Sequence, residues 1–105
     1  MTLKPITDRA EVALDFPERS FMGSYGHSSS YEVNADPEGV TLRLVRRSGP
    51  ERTIGLHLHY LLLADVLGDL ARELDGKHLP DETHRRVMLA AAEQLRAALE
   101  KREEG

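Results

Sequence analysis

Residues 31–44 read Tyr31-Glu32-Val33-Asn34-Ala35-Asp36-Pro37-Glu38-Gly39-Val40-Thr41-Leu42-Arg43-Leu44. Tyr31, Val33 and Ala35 alternate with Glu32 and Asn34. After a break, Val40, Leu42 and Leu44 alternate with Thr41 and Arg43. A period of two is that of a half-buried strand, because successive side chains point to opposite faces of a sheet. The break, Asp36 to Gly39, carries turn chemistry: aspartate suits the first position of a type I turn, proline presets φ at the second and glycine suits the fourth. The stretch predicts a β-hairpin with its leucines turned to a core and Glu32, Asn34, Thr41 and Arg43 on the other face.

Working towards the C-terminus, Ser48-Gly49-Pro50-Glu51 is a second connection. It leads to Ile54, Leu56 and Leu58, alternating with Thr53, Gly55 and His57. Short links between consecutive strands favour an antiparallel meander. Towards the N-terminus, Phe21 to Tyr25 suits a short strand, and Gly26, His27 and the serines at 28–30 suit a loop. Val12, Leu14 and Phe16 alternate with Glu11, Ala13 and Asp15, which predicts a strand stopped by Pro17. A helical turn capped by Thr7 is the rival for the same residues. Residues 1–10 read as an arm.

Near His59 the period changes from two to 3.6. Leu63, Val66, Leu67, Leu70 and Leu74 form one stripe, with Asp65, Asp69, Arg72 and Glu73 on the other side. This helix, residues 60–75, should stop at Gly76, followed by a linker from Lys77 to Pro80. Asp81 then caps a second helix, residues 81–102, with Met88, Ala92, Leu95 and Leu99 on its stripe. The final residues, Lys101 to Gly105, should fray. The expectation is a single α+β domain over residues 1–105. Its antiparallel meander of three to five strands, residues 11–59, is followed by two amphipathic helices packed on one face.

Composition narrows the function. With no cysteine among 105 residues, disulfides, thiolate metal sites and cysteine nucleophiles are excluded, and the composition fits a reducing compartment such as the cytoplasm. Met1 to Ile6 has no apolar run of the secretory kind, and apolar stretches such as Tyr60 to Ala64 are too short to span a bilayer. The net charge of −4 argues against general nucleic-acid affinity. Residues 40–60 nevertheless form a basic island, with Arg43, Arg46, Arg47 and Arg52 against Glu51. No aromatic residue lies between Tyr31 and Tyr60 to stack a base on these strands, so solvated or ion-paired arginines are the simpler reading. No phosphate-binding glycine motif and no nucleophile elbow occurs.

The most suggestive constellation is made of histidines. His57 and His59 lie two apart on a predicted strand and so share a face. Imidazoles so placed can share a zinc ion if a third and fourth ligand arrive, and His27 with Asp15, Glu32 or Asp65 are the candidates. The simpler reading is a pair of polar residues on a solvated sheet face, and no cofactor is expected. The paired carboxylates Asp65 and Asp69 also read as a solvated helix face. The sequence therefore favours a non-enzymatic protein-binding or regulatory module that uses an exposed sheet face, a helix seam or both. Glu32, Arg43, His57, His59 and His27 are its candidate contact residues. The alternative is a small-ligand or metal site, with possible catalysis, on His57 and His59. The Met88–Leu99 seam has small Ala91 and Ala98 beside it. It exceeds what one helix and a narrow sheet can hide, which predicts a homodimer.

Overall fold

The computed structural model describes residues 3–47, 49–75 and 81–101, in six strands and two helices. The strands are β1 (Lys4–Pro5), β2 (Ala10–Asp15), β3 (Ser20–Tyr25), β4 (Ser29–Ala35), β5 (Gly39–Arg46) and β6 (Arg52–His59). The helices are α1 (Tyr60–Leu74) and α2 (Glu82–Glu100). The class is α+β. The chain divides into two compact units, one ending at Asp65 and one beginning at Val66.

The first unit holds a four-stranded antiparallel sheet in the order β1-β4-β5-β6. The hairpin read from residues 31–44 forms its centre, with Val33 opposite Leu42 and Asn34 opposite Thr41. Asp36 N donates to Gly39 O at 2.9 Å, while Asp36 Oδ1 accepts from Glu38 N and Gly39 N. The carboxylate thus replaces one backbone bond of the loop. No non-glycine residue has a positive φ among the described residues, so this loop is not one of the primed turns that two-residue hairpins commonly use. Gly39 is required for a different reason. A Cβ there would collide with the carbonyl oxygen of Leu58 on β6.

Residues 10–25 do not extend the meander as the alternation predicts. β2 and β3 form a separate two-stranded sheet, with Ala10 opposite Tyr25 and Asp15 opposite Ser20. The outer edge of β4 is already taken by β1, where Lys4 faces Tyr31 and Pro5 faces Ser30. Ile6 N adds a bond to Ser29 O at 3.1 Å. Part of the expected arm therefore caps the sheet edge, and β3 finds no free edge there. The strand expected at residues 11–16 forms, and Pro17 sits in its turn, where Phe16 and Arg19 exchange backbone bonds of 2.8 and 3.2 Å.

Buried side chains in this unit are few. Tyr25 is 0% and Val45 2% exposed, and Ser29 and Glu32 are the buried polar residues. Arg52 of β6 stacks on the ring of Phe21 of β3, 5.0 Å from its centroid. The leucine parity is as the alternation predicts, with Leu42 opposite Leu56. The expected burial is not complete: Leu56 is 52% exposed, and Leu42, Leu44 and Leu58 are half-buried. Leu56 stands on β6, an edge strand flanked on one side only.

The second unit contains the rest of α1 and all of α2. Asp81 caps α2 as its position predicts, its Oδ1 accepting from His84 N at 2.9 Å. Asp75 N donates to Ala71 O at 3.1 Å at the end of α1. Neither helix buries a single residue. The expected stop at Gly76, the linker to Pro80, Ser48 of the second connection and residues 102–105 lie outside the described residues.

Candidate functional site

Two surfaces carry the chemistry, one in each unit. On the sheet, the face opposite the leucines contains Glu32, Arg43, Thr41, His57 and His59, placed together by the register Glu32↔Arg43, Thr41↔His57 and Gly39↔His59. Arg43 Nη1 donates to Glu32 Oε1, and the Glu32 side chain is only 7% exposed. The sequence placed Glu32 in the open. Instead it is a buried carboxylate whose neutralising partner is the cross-strand arginine. Burial of such a group is tolerated because the guanidinium supplies both charge and hydrogen bond.

Beside this pair, His57 Nε2 lies 3.2 Å from Asp36 Oδ2. The rings of His57 and His59 meet edge to face, with centroids 5.0 Å apart. Tyr60, the first residue of α1, donates its hydroxyl to Asp36 O at 2.8 Å. The turn, the last strand and the start of the helix are thereby tied at one point. Hydrogen bonds from the backbone of Glu38 and Gly39, with His57 adding to them, hold the Asp36 carboxyl below its ordinary range. An ionised Asp36 beside His57 orients the imidazole and leaves the rest of the ring to a ligand or partner.

His27 is exposed in the loop between β3 and β4. Among the described residues, no three histidine, aspartate or glutamate side chains are grouped to hold a metal ion. Asp36 and Tyr60 were not singled out from the sequence as site residues. The signal for Asp36 lay in the two turns: counting outward from the second connection brings Gly39 opposite His59, so the first turn must arrive at the histidines.

The second surface is a groove of about 550 Å³ between α1 and α2, lined by Leu67, Leu70, Leu74, Met88, Leu95 and their neighbours. Ala91 and Ala92 form part of its wall. Several charged side chains on the two helices are paired within their own helix. Arg85 and Arg86 both donate to Glu82, Arg96 donates to Glu100 at 3.2 Å and Arg72 to Asp69. The two arginines hold the Glu82 carboxyl below its ordinary range. Among the described residues, no helix is long and apolar enough to cross a membrane. Comparison with protein-family models, with curated proteins and with solved structures finds no match.

Proposed function

We propose that this chain is a non-enzymatic interaction module of the cytoplasm whose principal working surface is the α1–α2 groove. The observation that carries this reading is that α2 is capped and charge-paired along its described length, yet every one of its described residues is exposed. Such a helix is completed in its hydrogen bonds and incomplete in its burial. Short helices depend on tertiary burial for stability, and this open apolar surface supports a partner as its cover. The polar sheet face of Glu32, Arg43, His57 and His59 offers a second contact surface, and the absence of cysteine supports a reducing compartment.

Leu95→Glu tests the reading. If the groove is an interface, the charge abolishes docking there while the amide spectrum of β4, β5 and β6 stays unchanged. If the substitution unfolds the sheet as well, the groove belongs to the intrachain core and the reading fails.

The pairing of His57 with Asp36 and with the His59 ring supports a second reading, a small-ligand site on those rings. Under it, zinc or small carboxylates would move the His57 and His59 ring resonances at sub-millimolar concentration, and unmoved resonances exclude it.

A further inference from the structure

We infer that the occupant of the groove is the groove of a second copy of this chain, so that two α1–α2 hairpins close into a four-helix bundle. The inference rests on the interaction-module reading and names its partner. Area is the first argument. In the second unit eight large apolar side chains stand open, and six of them (Val66, Leu67, Leu70, Met88, Leu89 and Leu95) are 39–49% exposed. Five of the eight (Leu67, Leu70, Met88, Leu89 and Leu95) line the groove itself. Soluble monomers rarely leave a contiguous apolar patch of more than a few hundred Å² uncovered, whereas a standard interface buries about 800 Å² per partner.

Charge is the second argument. The ionic residues of α2 are Glu82, Glu93 and Glu100 against Arg85, Arg86 and Arg96, so the helix carries no net charge with neutral histidine. Ion pairs form within each helix: Glu82 with Arg85 and Arg86, Arg96 with Glu100, and Asp69 with Arg72. A groove built for an acidic or a basic partner would present a rim of one sign, because complementary potential sets partner choice. A rim of mixed sign, largely paired within each helix, instead meets its own copy with little repulsion. Geometry agrees with this. A two-fold contact needs one self-complementary patch, and Ala91 and Ala92 in the groove wall allow helices to approach closely. Two helical hairpins side by side are also a standard way to build a four-helix bundle. A unit of about 40 residues without disulfide or metal generally needs such association to be stable.

Light scattering on the full chain from about 1 to 100 μM, with intermolecular NOEs between labelled and unlabelled copies, is the test. The expected result is twice the 11.8 kDa chain mass at the upper concentrations. NOEs should link methyl groups of Leu67, Leu70, Met88 and Leu95 across copies, and Leu95→Glu should give monomers with β4–β6 unperturbed. A wild-type monomer at ~100 μM overturns the inference. If Leu95→Glu still leaves the sheet intact in that case, the groove remains an interface for a different protein. If Leu95→Glu unfolds the sheet, the interaction reading falls too. A dimer whose NOEs run through sheet residues alone also overturns the inference, and it needs no variant to fold.

Discussion

The sheet unit and the helical unit are both built on regular backbone hydrogen bonding and differ in what they bury. In the first, ladders between β4, β5 and β6 close around Tyr25, Val45 and the Glu32–Arg43 pair. In the second, internal helical bonds, the Asp81 cap and the intrahelical ion pairs leave every described side chain of α2 open. Hydrogen bonds are nearly an exchange with water, so completing them gives an element its shape and little net stability. Apolar burial supplies the larger part. The sheet unit has the beginnings of a core, whereas the helical unit shows the lining of one.

Truncation in the sheet core should have the largest effect and tests whether that core is real. Tyr25→Ala removes a side chain that is 0% exposed, and a loss of about 3–5 kcal/mol is expected by chemical denaturation, independent of protein concentration. Tyr25→Phe separates the ring from the hydroxyl, which is buried without a hydrogen-bond partner in the structure. Its removal should be neutral or gain up to ~1 kcal/mol, and a clear loss would mean that the hydroxyl is satisfied after all.

Leu95→Ala probes the other side of the comparison. In the closed bundle it should cost about 2–4 kcal/mol at ~100 μM, and the loss should shrink on dilution as wild type itself dissociates. An effect within ±0.5 kcal/mol at every concentration would mean the groove stays open to water, and the contrast between the units would then be one of exposure alone.

Arg43→Ala should fall below these two. It leaves the Glu32 carboxylate buried without its cation, but Arg43 itself is 43% exposed and its charge is partly screened. A loss of about 1–2 kcal/mol follows, with recovery in the double variant Glu32→Gln, Arg43→Ala. A near-zero single-variant effect would return Arg43 to the solvated position that parity alone suggests.

The smallest effect concerns Asp36. Its folded carboxyl is held below the ordinary value near 3.9, so its contribution is present above that value and is lost as pH falls through the folded one. Asp36→Ala should lower the Tm at pH 7, and the gap to wild type should narrow below about pH 4. Asp36→Asn keeps an oxygen for the Glu38 and Gly39 amides and should lose mainly the acid-range dependence. A gap constant from pH 7 to pH 3 would show that the carboxylate charge has no role in the turn.

The two hairpins show how far local sequence reaches. Both loops contain Pro-Glu, in Phe16-Pro17-Glu18-Arg19 and in Asp36-Pro37-Glu38-Gly39. The second stood between two clear alternating runs and was legible as a hairpin. The first has a Gly-Ser interruption after Phe21-Met22, and Pro17 read as a stop, although the same dipeptide could have identified a second turn.

What the sequence by itself determined is what depends on neighbours along the chain: the alternation in β4, β5 and β6, the Asp81 cap, the helical stripes and the shared face of His57 and His59. Tertiary structure decided matters that depend on which residues meet from distant positions. β1 occupies the edge of β4 and diverts β2 and β3 into their own sheet. Glu32 is buried with Arg43 across from it, and Asp36 reaches His57 because the two turns are in register. Periodicity fixes which side of an element is apolar. It carries no information about what covers that side, because burial is a property of two surfaces and the sequence pattern describes one.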